Sequence, residues 1–313
     1  MLAVIWNPAA GRGRLSKPSL EARLSQHAAG APFRVWQTRG AEEVQTLAKR
    51  ALAEGADVVA AAGGDGTLGE VASVVRASGA TLGVLPLGTG NDFARTLGLG
   101  TDLELAMQTL FEGQKRAIDG ARATLGGQSW FWLNVAGTGF DALVAKRINA
   151  ARFHPFWKHW KGTAAYGAAV ALELRALQAA NLRLSLDGET IERRALLCAV
   201  ANAKSYGGGM KVAPDASLDD GLFDICLIQE ASAWEFARAM PSVFRGAHVG
   251  HSKVEMFRAR RVEVESDPPL PVLVDGEVRG QTPVTLEVMP RALEILAPVK
   301  NLAPGADKDG AIG

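Results

Sequence analysis

The stretch VVAAAGGDGTLGEV, from Val58 to Val71, decides the fold. Its opening residues, Val58–Ala62, form an apolar run without alternation, which suits a short strand buried on both faces. Gly63-Gly64-Asp65-Gly66-Thr67 breaks that run. Leu68, Val71, Ala72 and Val75 then return at the spacing of one helix face. A buried strand that turns through glycines into a helix is half of a βαβ unit. The same grammar recurs around it. Leu2–Trp6, Phe33–Gln37 and Leu82–Leu85 predict strands, and Val44, Leu47, Ala48, Ala51 and Leu52 share a helix face between the second and third of the four. Strand and helix in alternation imply parallel strands with crossover connections, a three-layer α/β domain.

Beyond about residue 119 the texture changes. Helical patterns remain near 140–150, 163–178 and 232–244, but β-like runs dominate: Trp130–Ala136, Leu182–Leu186, Ala195–Val200, Leu222–Ile228, Arg261–Glu265, Pro271–Val274 and Val284–Val288. Asp187-Gly188 and Asp275-Gly276 are hairpin signals between such runs. The expected architecture is α/β plus β: residues 1–119 as an α/β domain with a parallel sheet, and 120–297 as an antiparallel β-sandwich. The tail from about 298 to 313 is expected to fray or to return to the first domain.

Composition narrows the function. The 313 residues carry 34 Lys+Arg against 33 Asp+Glu, a net charge of +1, so there is no strong field to gather nucleic acid. Cys198 and Cys226 lie in apolar runs and read as buried thiols, compatible with a reducing cytoplasm. The N-terminus MLAVIWNP lacks a basic leader, and no stretch meets the length and apolarity of a membrane span. Any membrane contact is expected to be peripheral.

Glycine-bearing segments follow three of the first-domain strands: Asn7-Pro8-Ala9-Ala10-Gly11-Arg12-Gly13, Gly63–Thr67, and Leu85-Pro86-Leu87-Gly88-Thr89-Gly90-Asn91-Asp92. In an open parallel sheet these are the carboxyl ends of strands, where ligands bind. Glycine lets the backbone approach a phosphate, and a helix start offers free N–H groups. Neither a P-loop nor a dinucleotide-binding glycine fingerprint is present, so phosphate must be held by amides and small hydroxyls. Asp65 beside such a cradle repels an anion unless a cation such as Mg²⁺ lies between them.

NPAAGRG, GGDGT, PLGTGNDFAR and YGGGMKVAPDASLDDGLFDI together resemble the diacylglycerol kinase family of lipid kinases, in its soluble bacterial branch related to the sphingosine kinase catalytic core. The resemblance runs from Ile5 to about Ala297. GGDGT alone is shared with NAD kinases and phosphofructokinases, whose first-domain fold it implies; GTGNDFAR and APDASLDDGL are far more specific. The resemblance implies an ATP- and Mg²⁺-dependent kinase acting on the hydroxyl of diacylglycerol or a similar lipid. It maps nucleotide binding to Asn7, Pro8, Ala9, Ala10, Gly11, Thr38, Gly64, Asp65, Gly66, Thr67, Leu68, Gly69, Glu70 and Thr89. Asp65 is implied as the essential carboxylate near the phosphates, with Asp92, Asp119 and Asp219 in the active-site network. A second Mg²⁺ is implied at Ser217, Asp220 and Leu222, and Glu277 as the general base. Gly69 departs from the family's usual asparagine.

Lys146, Arg147, Arg152, Phe153, Phe156, Trp157, Lys158, Trp160 and Lys161 interleave cations with aromatics, a composition suited to a lipid headgroup surface or to a packed cluster beside a basic face. The expected partner is a lipid at a membrane surface; no nucleic acid is expected, and a homodimer is compatible. Two rival functions share the first-domain signals: an NAD kinase-like phosphotransferase, and a non-catalytic lipid-binding or regulatory protein on the same scaffold. The SLDDGL and DGE segments weigh against the first, and the retained acidic set against the second.

Overall fold

The computed structural model describes residues 1–10, 15–151, 172–175 and 177–299. The chain divides into two compact units, Met1–Ile118 with the stretch from Arg291 onward, and Asp119–Pro290.

In the first unit, strands β1 (Leu2–Trp6), β2 (Phe33–Gln37), β3 (Val58–Gly63) and β4 (Thr81–Pro86) run parallel in the order β4-β3-β1-β2. Helices α1 (Lys17–Ala28), α2 (Val44–Ala53), α3 (Asp65–Val75), α4 (Asp92–Thr96) and α5 (Leu103–Glu112) connect or follow them. The alanines of β3 have a physical reason. A Cβ on Gly83 of β4 would lie 2.5 Å from Leu110 of α5 and 2.8 Å from the Ala60 side chain, so larger residues would push helix and sheet apart.

The second unit holds β5 (Gln114–Leu125, from Asp119 on), β6 (Gln128–Trp132), β7 (Val135–Gly139), α6 (Phe140–Ala151), β8 (Ala180–Leu186), β9 (Glu189–Ala201), β10 (Phe223–Gln229), α7 (Ala233–Arg245), β11 (Val254–Ala259), β12 (Arg261–Asp267), β13 (Pro271–Val274) and β14 (Glu277–Gln281). Its strand pairs are antiparallel. β9 organises them by changing partner along its length, pairing with β8 over Glu189–Ala195, with β10 over Ala195–Ala201 and with β7 over Leu197–Ala201. Trp132 and Phe223 stack inside at 5.3 Å between ring centroids, each fully sealed from water and each worth about 2–3 kcal/mol of burial.

Two expected strands take a different form. Trp130–Ala136 is not continuous: Leu133 and Asn134 interrupt it between β6 and β7. Val284–Val288 is the start of a much longer strand, β15 (Val284–Ala297), which pairs with β12 over Val284–Glu287 and with β4, in parallel, at Glu294–Ile295. Pro290 and a left-handed Arg291 mark the change of partner, where the alternation is lost from the sequence. The helix expected over 163–178 falls largely outside the described residues, as does the tail from residue 300.

Cys198 lies opposite Leu227, and Cys226 opposite Ala199, so the thiols point to opposite sheet faces and both are free. Burial raises the Cys198 thiol far above its usual range and pushes Cys226 up to about 12, which leaves both inert.

Asp141 is less settled. Burial raises its carboxyl to about 6 against the pull of the Ala142 N–H and the Tyr206 hydroxyl, although the residue as a whole is partly exposed. Because the folded state then binds the proton more tightly than the unfolded chain, this stabilisation is present in acid and is lost as pH rises through about 6. Asp141→Asn is therefore expected to stabilise the protein above about pH 7 by up to ~3 kcal/mol, with the difference shrinking towards about pH 4. Urea unfolding of both proteins across that range checks it.

Candidate active site

Three loops at the carboxyl ends of β1, β3 and β4 are bonded into one cluster. Asn7 follows β1; its Oδ1 accepts the Ala9 N–H at 3.0 Å, and its Nδ2 donates to Thr67 Oγ1 at 3.2 Å. The β3 loop meets the β4 loop through backbone: Leu87 and Gly88 N–H donate to the Gly63 carbonyl at 2.9 and 3.1 Å. A Cβ on Gly88 would stand 2.3 Å from the Gly64 Cα, so the loops touch where only glycine fits. Asn91 holds the second loop in shape. At φ 53 it occupies the left-handed region that asparagine tolerates, and its side chain bonds both the Gly88 N–H (2.8 Å) and the Gly88 carbonyl (3.0 Å).

Asp65 stands at the centre of this cluster. Its carboxylate accepts the N–H groups of Asp92 (3.2 Å) and Phe93 (3.1 Å), capping α4 across the two loops. The start of α3, by contrast, has no side-chain cap. Among the described residues its first-turn amides meet no side-chain acceptor, which leaves them available to an anion, and a Cβ added at Gly66 would meet nothing within 4 Å. Nearby, at the end of β2, the Thr38 hydroxyl is buried and has no partner among the described residues, an unspent polar group beside the same sheet edge. Glu70, one turn into α3, accepts from Gln45 Nε2. Thr89 is exposed and Asp92 buried. Gly11 lies outside the described residues.

The second unit gathers the remaining acids in two places. Asp119, buried, ties down the SLDDGL turn: its N–H donates to the Leu218 carbonyl at 2.6 Å and its Oδ2 accepts the Gly221 N–H at 2.7 Å. Asp219 accepts the Ser217 hydroxyl at 2.8 Å. Asp220 accepts the Leu222 N–H at 3.1 Å and pairs with Arg258, which also lies 3.6 Å from Asp224. Asp224 keeps one buried oxygen without a partner, and its carboxyl is raised, chiefly by burial and further by Asp220 and Asp215, against the pull of Arg258.

The other place is the β13–β14 turn, where Asp275 (φ 46) and Gly276 (φ 84) adopt the left-handed pair of a tight hairpin. The Asp275 carboxylate accepts the N–H groups of Leu133, Asn134 and Val135 at 2.9, 2.9 and 3.3 Å, which is what splits β6 from β7. Glu277, the next residue but one, is exposed and paired with Arg279 at 2.6 Å.

Residues 1–123 match the family model for the diacylglycerol kinase catalytic domain, and 134–297 that for the YegS C-terminal NAD kinase beta sandwich-like domain. A diacylglycerol kinase of Mycobacterium tuberculosis (strain CDC 1551 / Oshkosh) is 37% identical over 262 residues, 82% of each chain. One of Staphylococcus carnosus (strain TM300) is 30% identical over 302 residues, 95% of this chain and 96% of that one. The chain belongs to the diacylglycerol kinase family. A crystal structure described as a diacylglycerol kinase from Bacillus anthracis str. Sterne shares the fold, with a TM-score of 0.70 at 21% identity, covering 95% of this chain and 96% of that chain.

Two donor sets in this diacylglycerol kinase relative bear on Mg²⁺. At the glycine loops, the Asp65 carboxylate lies at the uncapped start of α3, with Asp92 bonded to it through its N–H, and Mg²⁺ in phosphoryl-transfer sites is commonly held by one or two carboxylates with phosphate oxygens and water. That set fits. At the SLDDGL turn, both Asp220 oxygens are engaged, one by the Leu222 N–H and one by Arg258, so a cation there would have to displace the guanidinium. Among the described residues no cluster of three or more His, Cys, Asp or Glu side chains is arranged to hold a metal.

Three positions carry more than their sequence signals. Asn91 is visible in GTGN only to a reader who expects a left-handed turn. Asp275 reads as a plain turn residue, and nothing local reveals its bonds to Leu133–Val135. Arg258, in FRAR, has no sequence signal at all. Replacing Asp275 with alanine strands three amides and is expected to cost about 2–4 kcal/mol, read as a lower urea midpoint, with Asp275→Asn intermediate. Gly69 shows the converse: a Cβ there meets nothing within 4 Å, so its missing side chain reflects no steric demand.

Proposed function

We propose that this protein is a lipid kinase, transferring the γ-phosphoryl group of ATP to the hydroxyl of diacylglycerol or a similar lipid. The observation that carries the reading is the bonded cluster of three strand-end loops, with an uncapped helix start and a carboxylate at its centre. Such a cluster offers what phosphoryl transfer asks of a protein, positioning and charge compensation rather than covalent chemistry.

In this reading the amides of the α3 start and the Asn7–Ala10 turn hold phosphate oxygens, and the buried Thr38 hydroxyl supplies a further polar contact on the nucleotide. Asp65, fixed by two amides, supplies the carboxylate of the cradle. Asp65 and Asp92 would hold Mg²⁺, which would supply positive charge to offset that of the phosphates. Glu277 takes the proton of the acceptor hydroxyl, and the Asp275 carboxylate positions it by fixing the turn before it. Asp119 and Asp219 shape the SLDDGL turn; ligation of a second Mg²⁺ through Asp220 and the carbonyls of Ser217 and Leu222 competes with Arg258. A cytoplasmic enzyme acting at a membrane surface accords with this chemistry.

The test is transfer of labelled γ-phosphate from ATP with Mg²⁺ to a panel of lipids in mixed micelles, with Asp65→Ala alongside. Label entering one lipid, and lost in the variant, establishes the class and names the acceptor. Label entering NAD or another soluble alcohol instead, or no transfer despite nucleotide binding, overturns it.

A further inference from the structure

Helix α7, Ala233–Arg245 (AWEFARAMPSVFR), is built to hold one face inward and to show the other. Phe236 and Val243 are buried, and Met240 packs beside Phe236 in the cluster with Phe140, Val144 and Leu196. Phe236 meets Phe140 edge to face at 4.8 Å between centroids. A Ser232–Glu235 capping box opens the helix and left-handed Gly246 closes it, so the orientation is fixed before any partner arrives.

The outward face is not an ordinary solvated one. Trp234 is 75% exposed and Phe244 49% exposed, and they share the face with Pro241, Arg238 and Arg245. The spacings from 234 to 238, 241 and 245, and from 241 to 244, are those of neighbours on one helix side, so this is a stripe and not a scatter of single residues. The helix has one acid, Glu235, and it is occupied by Ser232 and Lys253 at the flank. Among the described residues neither Arg238 nor Arg245 has a carboxylate partner.

We infer that this face of α7 is a docking surface for a membrane carrying anionic lipids. Tryptophan and phenylalanine enter the headgroup boundary, while the two arginines meet lipid phosphates. A second copy of the chain is a poorer fit. The stripe is about 16 Å long and one helix wide, roughly 160 Å², against the ~800 Å² per partner of a stable protein interface. The inference rests on the proposed lipid acceptor for its biological sense, but its test does not need turnover.

The experiment is vesicle flotation of the full chain without nucleotide, on phosphatidylcholine alone and on phosphatidylcholine with about one third phosphatidylglycerol. The protein is expected to float with the anionic vesicles. Trp234→Ala/Phe244→Ala and Arg238→Glu/Arg245→Glu are each expected to weaken that binding about tenfold or more, and the effect of the charge pair is expected to fade at high salt. Circular dichroism and melting curves matching the parent show that the variants fold. Absence of flotation by the parent, or equal flotation of folded variants, overturns the inference. So does a parent dimer that Trp234→Ala/Phe244→Ala dissolves, which would make the stripe a contact between copies. A chain that floats through this face but phosphorylates no lipid counts against the proposed acceptor alone; one that phosphorylates micellar lipid but does not float counts against the surface alone.

Discussion

Asp65→Ala is expected to abolish measurable phosphoryl transfer, a loss on the order of 10³-fold or more, because it removes the charge on which the glycine loops converge. The same change strips the cap from α4 and leaves the Asp92 and Phe93 amides without their acceptor, at about 1 kcal/mol of stability. Asp65→Asn separates the two roles. It is isosteric and retains an oxygen acceptor for an amide, so it recovers much of the stability. If charge is what matters, it recovers none of the activity. Steady-state kinetics beside urea unfolding of both variants decide it: an active asparagine variant would leave Asp65 a structural cap and no more.

Glu277→Gln is expected to lower kcat by about 10²–10⁴-fold with little change in KM or stability, the range for a positioned acid or base. Stability is little affected because an exposed side chain in a surface ion pair with Arg279 contributes little to folding. Near-normal turnover would place proton removal elsewhere.

What could be read in advance follows range of interaction. Strand β1 is legible to the residue because burial on both faces leaves an unbroken apolar run before a polar turn, a purely local signal; β2, FRVWQ, buries only Val35 and Trp36 and is bounded by its flanking Pro32 and Thr38. The glycine loops are legible as turns for the same reason. Their mutual bonding is not, because Asn7 reaches Thr67 across 60 residues and Asp65 reaches Phe93 across 28. The break between β6 and β7 comes from Asp275, some 140 residues downstream, and no pattern in WFWLNVAG announces it. β11 and β14 escaped because half-exposed strands carrying arginine and glutamate resemble loops in composition. Of the candidate site, residue types and motif order were readable, whereas the engagement of Asp220 by Arg258 was not: a salt bridge across 38 residues leaves no trace in spacing.

The pairing of β15 with β4 has a consequence for biosynthesis. Thr81 and Glu294, adjacent across that ladder, are separated by 213 residues. A chain emerging from the ribosome can assemble β1 to β4 early, but β4 keeps a bare hydrogen-bonding edge until the 213 residues between Thr81 and Glu294 have been translated. Such an edge invites pairing with other nascent chains. Closing a ladder over so long a loop also carries the entropy that slows folding. A strand made more than 200 residues after β4 is thus the one that seals its free edge. Truncations that stop short of Glu294 are expected to aggregate even though they retain every residue of the proposed nucleotide cradle.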